Sequence, residues 1–257
     1  MVGKIESYYR EKLASQGAML FSLIDPDKLP LEKAAAVAKT SLEGGADAIL
    51  VGGSIGVQGT VLDETVKLIK DAVGGTMPVV LYPGSPGGLT PYADAVYFMQ
   101  MLNSRDVYWL STAQIQAAPV VHKMKLEAIP TSYVVIEPGR AVGWIGNANV
   151  VPRERSDLAA ACALAAKYLG ARVIITDSGS GAPSPAPKEL VNAISRVCQN
   201  DVMYFYGGGV RTAEQAGEVI AAGAHGIQVG NAFEEGVTPK RLKEFAQAIR
   251  KEGKKRV

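Results

Sequence analysis

Two carboxylates and a hydroxyl follow the first two apolar runs of the sequence. The first run ends in "SLIDPDK", with Asp25 and Asp27 on either side of Pro26, and the second ends in "VGGSIG", which contains Ser54. Carboxylate and hydroxyl oxygens suit Mg²⁺, which usually completes its shell with water and substrate phosphate. These residues predict a magnesium site with Asp25 as the better ligand, while Asp27 could instead cap the next helix.

Glycines gather directly after the last three apolar runs. They are Gly179 and Gly181, then Gly207 to Gly209, then Gly230. Glycine lets backbone N–H groups turn towards an anion and approach it closely. Three such loops together predict a phosphate cradle, although each loop alone could be a tight turn. On this interpretation "TDSGSGAPSPAP" (176–187) is a binding loop and not a flexible linker.

Asp177 stands at the head of the first glycine loop. A carboxylate there could accept a proton from a hydroxyl nucleophile, and it could equally cap a helix. Two anion-handling regions at one site imply either a pair of substrates or one substrate with two anionic ends.

The elements that must position these residues are eight short apolar runs. They span residues 18–25, 46–53, 77–84, 93–99, 131–139, 171–181, 201–209 and 224–231. The runs are continuous, as is typical of parallel strands covered on both faces, and amphipathic helical stretches separate most of them. This alternation predicts an α/β protein, a single (β/α)₈ TIM barrel, in which chemistry sits at the C-terminal strand ends. A Rossmann-like open sheet is the alternative, but the first turn lacks G-x-G-x-x-G.

One connection is long for a link between strands. We interpret residues 100–130 as a helix plus an extra segment over one rim, acting as a lid or an oligomer contact. No break in composition marks a second domain, so residues 1–257 are expected to form one domain.

The composition excludes several classes of protein. The net charge is +2, from 27 basic and 25 acidic residues, which argues against a nucleic-acid partner. Cys162 and Cys198 suit neither a disulfide framework nor a metal site. The N-terminus is not a signal peptide, and no apolar run approaches the ~20 residues that span a bilayer. We therefore expect a cytoplasmic protein that is not transmembrane.

Other side chains carry weaker signals. Tyr92, Tyr97, Phe98 and Trp109 could line an apolar groove or be ordinary core. The two histidines, His122 and His225, have no partners for metal binding or nucleophilic catalysis and are expected to be structural. The basic tail "RKEGKKRV" could make transient contact with an anionic membrane surface.

The ordered motifs resemble the geranylgeranylglyceryl phosphate synthase family. These motifs are "DPDK", "GGS", "LYPGSPGGLTPYADAVYFMQMLNS" (81–104), "SYVVIEPGRAVGWIGNA" (132–148), "SGSGA" (178–182), "GGGVRTAEQA" (207–216) and "VGNAFEE" (229–235). They cover nearly the whole chain, and the block at 81–104 is the most specific.

The resemblance implies a (β/α)₈ prenyltransferase of archaeal ether-lipid synthesis. It implies transfer of a geranylgeranyl group from geranylgeranyl diphosphate to the 3-hydroxyl of sn-glycerol 1-phosphate, with Mg²⁺ held by Asp25 and Ser54. The glycerol phosphate would be held by Ile175, Thr176, Asp177, Ser178, Gly179, Ser180, Gly181, Gly208, Gly209, Gly230 and Asn231. A longer prenyl donor, as in a bacterial relative, stays open. Family members form dimers or larger rings, so we expect a homo-oligomer.

The sixth run departs from the family pattern. The family typically reads "YLEAGSG", whereas this chain has Ile175 in place of the tyrosine and Asp177 in place of the glutamate proposed as the base. Aspartate keeps the chemistry but is one methylene shorter. Both changes concern the acceptor side, while the donor and metal motifs match.

Two other functions remain open from the residues alone. A phosphosugar isomerase or synthase would explain the glycine loops but not "DPDK" with the block at 81–104. A non-catalytic phosphate-binding protein would explain the changes at Ile175 and Asp177 as lost turnover.

Overall fold

The computed structural model describes residues 2–53, 58–199, 201–230 and 238–257. Within these ranges eight parallel strands close into a barrel, each paired with its neighbours in chain order. The strands are β1 Met19–Ile24, β2 Ala48–Val51, β3 Val79–Leu81, β4 Ala95–Met101, β5 Glu127–Val135, β6 Val173–Asp177, β7 Met203–Gly207 and β8 Gly226–Val229. The predicted single (β/α)₈ barrel is confirmed.

Helices surround the barrel. In the described ranges they are α1 Lys4–Gln16, α2 Leu31–Glu43, α3 Gly59–Val73, a π-helix Tyr108–Thr112, α4 Ala113–Met124, α5 Arg140–Ile145, α6 Ser156–Tyr168, α7 Lys188–Cys198, α8 Ala213–Ala221, α9 Pro239–Gly253 and a 3₁₀ turn Lys254–Arg256. Thr238 caps α9, because its side chain accepts from the Arg241 N–H at 3.2 Å, and Pro239 begins the helix. None of these helices is long and apolar enough to cross a membrane.

Strand alternation divides the buried side chains into two layers. One set faces the barrel axis, and it includes Met19, Phe21, Leu50, Val80, Tyr97, Ile129, Tyr133, Ile175 and Phe205. The other set faces the helices, and it includes Leu20, Ile24, Ile49, Leu81, Ile174, Tyr204, Tyr206 and Ile227. Because both faces of every strand are covered, the apolar runs in the sequence are continuous.

Helix α1 closes the N-terminal end of the barrel. Tyr9 is fully buried, and its ring lies 5.4 Å from that of Phe21 and 5.9 Å from that of Phe205. The Glu127 carboxylate, at the start of β5, accepts from the N–H groups of Ile5 at 2.7 Å and Glu6 at 2.9 Å. A carboxylate that accepts from these otherwise unpaired N–H groups stabilises the start of the helix. Because α1 fills this end of the barrel, a site can open at the opposite end.

The stretch 100–130 contains the end of β4, the π-helix, α4 and the start of β5. Strand β5 begins at Glu127, and not at residue 131 as its apolar run predicts, because Pro130 still takes part through its carbonyl, which accepts from Arg172 N–H at 2.9 Å. A proline normally argues against a strand interior, since it cannot donate. At the rim, Asn103 Nδ2 donates to the carbonyls of Val135 and Asn149 at 2.9 Å. The function of this segment as a lid or an oligomer contact stays a prediction.

His225 has a structural role that predicts a pH dependence of stability. Its Nδ1 accepts from the Tyr204 N–H at 3.0 Å, and burial, followed by the Arg256 charge, lowers its pKa to about 4. The unfolded chain therefore binds one more proton than the folded chain between that pH and ~6.5. We expect the free energy of unfolding to fall by at most about 3 kcal/mol as pH drops through this window.

Urea unfolding between about pH 4 and pH 7, the range set by the folded and unfolded pKa values of His225, measures how the free energy of unfolding changes with pH. The His225→Asn variant should flatten this dependence, because it removes the titrating group, while the same change at the exposed His122 should leave it unaltered. Equal slopes in the wild type and in His225→Asn would contradict the assignment.

Candidate active site

A cavity of about 550 Å³ opens at the C-terminal ends of the strands. It has a polar end, lined by the glycine loops, Asp25 and Asp177, and an apolar arm that extends towards α4. The acidic and glycine-rich motifs at the ends of separate strands therefore share one space, as the barrel fold predicts.

The loops after β6 and β7 have a backbone that requires glycine. Gly181 and Gly208 have φ of 76° and 89°, in the left-handed region. A Cβ at Gly208 would lie 2.8 Å from Asp177 Oδ1, and a Cβ at Gly209 would overlap the main chain of Ser184. The loops therefore pack against each other, and they place Ser180, Gly181, Gly208 and Gly209 on the cavity wall beside Gly230.

The proline-rich continuation of the first loop is held by arginines and a tyrosine. Guanidinium groups donate to its carbonyls in the pairs Arg140 with Gly181 (3.1 Å), Arg211 with Ala182 (3.3 Å), Arg153 with Ser184 (3.5 Å) and Arg153 with Pro185. Tyr206 Oη accepts from the Ala186 N–H at 2.7 Å. This stretch is thus anchored to the barrel, unlike a linker, whose backbone would be solvated, and its first residues, Ser180 to Ala182, line the cavity.

Asp177 ends β6 with its carboxylate at the cavity. Its Oδ1 accepts from the Gly179 N–H at 2.6 Å, and its Oδ2 lies 3.0 Å from the point where a Cβ of Gly207 would be. Burial raises the pKa of Asp177 above its ordinary value, although the Gly179 bond and the nearby Tyr133 hydroxyl lower it. A carboxyl with a raised pKa is a stronger proton acceptor once ionised, which suits a general base.

Two tyrosines form the floor next to Asp177. Tyr82 and Tyr133 both line the cavity, and burial, followed by the negative charge of Asp177, raises the pKa of both well above the ordinary value. Both hydroxyls therefore stay protonated and able to donate. The Tyr82 hydroxyl is buried and makes no hydrogen bond within the described residues. Sequence patterns did not single out either residue, because a tyrosine in an apolar run is typical of core.

Four predicted acceptor-binding residues lie outside the cavity lining. Ile175 is buried in the barrel interior, and Gly179 uses its N–H on Asp177. On the opposite face of the strand Thr176 Oγ1 bonds to Tyr204 Oη at 2.8 Å. The Ser178 hydroxyl bonds to Tyr206 at 3.1 Å. Asn231, predicted with them, lies outside the described residues. Their roles in binding stay predictions.

Asp25 lies at the mouth of the same cavity and is 7% exposed. Its Oδ2 is 3.1 Å from Lys28 Nζ, and its Oδ1 accepts from the Asp27 N–H at 3.1 Å. A Cβ at Gly53 would overlap the Asp25 carboxylate, so the end of β2 passes directly beside it. Ser54, the second predicted ligand, follows Gly53 but lies outside the described residues.

This donor set fits Mg²⁺ held mainly by a substrate. Among the described residues there is no group of three or more His, Cys, Asp or Glu side chains that could hold a metal. A single carboxylate beside a cavity lined by glycine loops is compatible with the way in which Mg²⁺ is usually held, by one or two carboxylates, substrate phosphates and water. The alternative in which Asp27 caps α2 is wrong, because Pro30 occupies the N-cap position and no side chain caps that helix.

The apolar arm runs between β4 and the helices outside it. Its walls include Leu89, Val96, Phe98, Met99, Trp109, Ala113, Ala117 and Val121. Of the aromatic residues singled out in the sequence, Tyr97, Phe98 and Trp109 line the cavity. Tyr92 is 42% exposed with Lys67 Nζ 4.0 Å from its ring centroid, so it lies on the surface. One cavity therefore has both a polar end lined by glycine loops and an apolar channel.

Comparison with known proteins decides the family. The profile of the PcrB family matches residues 13–249. The chain belongs to the PcrB family. Within it, the chain is 45% identical to a geranylgeranylglyceryl phosphate synthase of Pyrococcus horikoshii over 97% of this chain and 96% of the relative. It is 44% identical to a synthase of the same name from Methanosarcina acetivorans over 90% and 93% of the two chains.

Solved structures agree with this PcrB assignment. The (S)-3-O-geranylgeranylglyceryl phosphate synthase of Thermoplasma acidophilum, in complex with its substrate sn-glycerol-1-phosphate, superposes with a TM-score of 0.91 at 33% identity, covering 98% and 100% of the chains. A thiamine phosphate pyrophosphorylase of Pyrococcus furiosus, with a TM-score of 0.60 and 17% identity, shares the fold alone. The predicted family and the prediction of a prenyltransferase are confirmed.

The glycine loops predict a specific loss of ligand binding. The Gly208→Ala variant should weaken binding of inorganic phosphate at least ~10-fold in calorimetry, because its Cβ would push on Asp177 and on the Ser178 N–H, each 2.8 Å away. Gly170→Ala is the matched control, since Gly170 has the same φ of 89° but no atom within 4 Å of its Cβ position. Equal affinity in the two variants would contradict the cradle.

Proposed function

We propose that this protein transfers a geranylgeranyl group from geranylgeranyl diphosphate to the 3-hydroxyl of sn-glycerol 1-phosphate, releasing diphosphate, in a Mg²⁺-dependent reaction. The observation that supports this most directly is that one cavity joins the glycine loops, the Asp25 region and an apolar arm. A phosphosugar substrate has no apolar chain that could fill that arm. The remaining features of the site can be divided between the two substrates.

The acceptor is assigned to the glycine loops after β6, β7 and β8. Their left-handed glycines turn the backbone towards the cavity, where N–H groups can take a phosphate. The bound sn-glycerol-1-phosphate in the Thermoplasma acidophilum relative supports the choice of acceptor. Ser180, Gly181, Gly208, Gly209 and Gly230 line the cavity and are our binding residues. The other predicted residues would support the conformation of the loop without contacting the phosphate through the cavity wall. They are Ile175, Thr176, Ser178 and Gly179.

The donor is assigned to the Asp25 side and the apolar arm. The diphosphate would lie near Asp25, Lys28 and the guanidinium groups of Arg211 and Arg241, which all line the cavity. Asp25 and Ser54 would hold Mg²⁺, which when bound supplies positive charge to the leaving diphosphate. The prenyl chain would fill the arm beside Phe98 and Trp109, where burial removes its apolar surface from water.

The reaction needs one proton acceptor at the new ether oxygen. The bond between C1 of the prenyl group and the diphosphate oxygen breaks, and the electron pair leaves with diphosphate. The 3-hydroxyl oxygen bonds to C1, and its proton passes to the Asp177 carboxylate. Anchoring the phosphate of the acceptor orients the hydroxyl for this attack. The hydroxyls of Tyr82 and Tyr133 keep the base next to donors and away from bulk water.

We also propose a cytoplasmic homo-oligomer. Trp144 on α5 is 86% exposed and Tyr168 on α6 is 78% exposed, which supports contact with a second copy of the chain, although the number of subunits is open. The basic tail beyond α9 supports transient contact with a membrane surface.

Transfer itself is tested with purified protein, Mg²⁺, geranylgeranyl diphosphate and labelled sn-glycerol 1-phosphate. We expect a lipid-soluble labelled product with this acceptor, none with sn-glycerol 3-phosphate, and none with EDTA. Asp177→Asn should reduce kcat at least ~100-fold, because the base is lost, while Asp157→Asn, which alters an exposed ion pair with Arg155, should not. Binding of both substrates without product would favour a non-catalytic protein, and a product only with longer donors would revise the chain length.

The raised pKa of Asp177 predicts the acid limb of the pH profile. Because the carboxylate must be ionised to accept the proton, kcat/KM should fall as pH drops through its pKa, at a pH above the ordinary aspartate value of 3.8. The residual activity of Asp177→Asn should lack this limb. A profile that is unchanged in the variant would assign the limb to another group.

A further inference from the structure

One buried polar side chain at the cavity has no partner. Gln228 on β8 points into the barrel mouth, lines the cavity and is 5% exposed. Neither its Oε1 nor its Nε2 makes a hydrogen bond within the part of the chain that the structure describes. A buried amide left unpaired at both ends destabilises a fold, so such a residue usually has another reason to be there.

The surroundings of Gln228 explain where its amide is directed. Gly226, two residues earlier on the same face, contacts Phe21 and Phe205 at the Cβ position, so the space below Gln228 is filled. Beside it, Gly207, the residue paired with Gln228 on β7, has no side chain. The point where a Cβ of Gly207 would lie is 3.6 Å from Gln228 Oε1 and 3.0 Å from Asp177 Oδ2. The amide and the carboxylate thus flank one small polar recess of the cavity.

The chemistry of an amide selects among the groups of an acceptor. An amide offers one oxygen that accepts and one NH₂ that donates, and a hydroxyl can satisfy both. A phosphate would be repelled by the amide oxygen, and it is better served by backbone N–H groups and arginines. The nucleophilic hydroxyl must face Asp177. The recess therefore suits a second hydroxyl group, on the carbon next to the one that bears the nucleophile.

We propose that Gln228 binds the 2-hydroxyl of the glycerol phosphate acceptor and makes the enzyme specific for polyol phosphates with neighbouring hydroxyls. This inference rests on the proposed function and adds a specificity-determining residue to it. A site built to hydrogen-bond a hydroxyl rejects an analogue that lacks it, because its own buried groups are then left unpaired. The bound acceptor would supply the partners that Gln228 lacks among the described residues.

The test compares two acceptors in two proteins. The acceptors are sn-glycerol 1-phosphate and 3-hydroxypropyl phosphate, which lacks only the 2-hydroxyl, and the proteins are the wild type and Gln228→Leu. The wild type should prefer the natural acceptor in kcat/KM by about 10- to 100-fold. Gln228→Leu should lose most of that preference, because it loses activity with glycerol phosphate but little with the analogue. An undiminished preference in Gln228→Leu would overturn the proposal.

Two controls separate a contact from a general disturbance. Gln100→Leu changes a glutamine on β4 outside the cavity lining, whose Nε2 donates to the Leu110 carbonyl, and it should keep the wild-type ratio of the two acceptors. The Tm of ligand-free Gln228→Leu should equal or exceed that of the wild type, because an unpaired amide is replaced by an apolar group of similar size. A markedly lower Tm would mean that Gln228 supports the fold, which would overturn the proposal.

Binding measurements distinguish failure of this inference from failure of the proposed function. Calorimetry with inorganic phosphate and with sn-glycerol 1-phosphate needs no prenyl transfer. Gln228→Leu should bind inorganic phosphate like the wild type and glycerol phosphate about 10-fold more weakly. If the wild type makes no ether product but shows this pattern, the proposed function fails and the inference stands. If the wild type makes product and the variant binds glycerol phosphate normally, only the inference fails.

Discussion

The close approach of the β6 and β7 ends around Asp177 is the constraint on which the site depends. Two glycines that face this carboxylate, Gly207 and Gly208, leave the space it occupies. Any side chain there would displace Asp177 or the loop that begins with it. Because the same loop is bound by arginines further along, Asp177, the proposed base, and the glycine turns form one unit. Such preorganisation is what acid–base catalysis and anion binding both require.

The rest of the barrel separates this unit from the solvent and from the N-terminal end of the barrel. Helix α1 fills the N-terminal mouth with Tyr9, and the cavity of about 550 Å³ opens at the C-terminal ends. Beyond the polar end, the arm between β4 and α4 gives the cavity an apolar continuation. A single space therefore matches both halves of an amphiphilic reaction, in which a charged alcohol meets a water-insoluble chain.

The sequence predicted the parts of this structure that rest on local patterns. Continuous apolar runs indicated the strands, and glycines after three of them indicated loops on one rim. Features that arise only on closure were missed. Tyr9 is one polar-looking residue in a charged helix until the barrel surrounds it, and Tyr133 and Gln228 resemble core residues until the cavity above them is seen. The first residues of β5 were missed because Pro130 argues against a strand. Its carbonyl nevertheless accepts a hydrogen bond in the sheet.

On the proposed function, the loops after β6 and β7 that enclose Asp177 also hold the acceptor phosphate, together with the loop after β8. A crystal structure of the protein with sn-glycerol 1-phosphate tests it most directly. The phosphate should lie on the loops that contain Gly181, Gly208 and Gly230, with the 3-hydroxyl within hydrogen-bond distance of Asp177 and the 2-hydroxyl at Gln228. A phosphate bound beside Asp25, or a 3-hydroxyl directed away from Asp177, would contradict it.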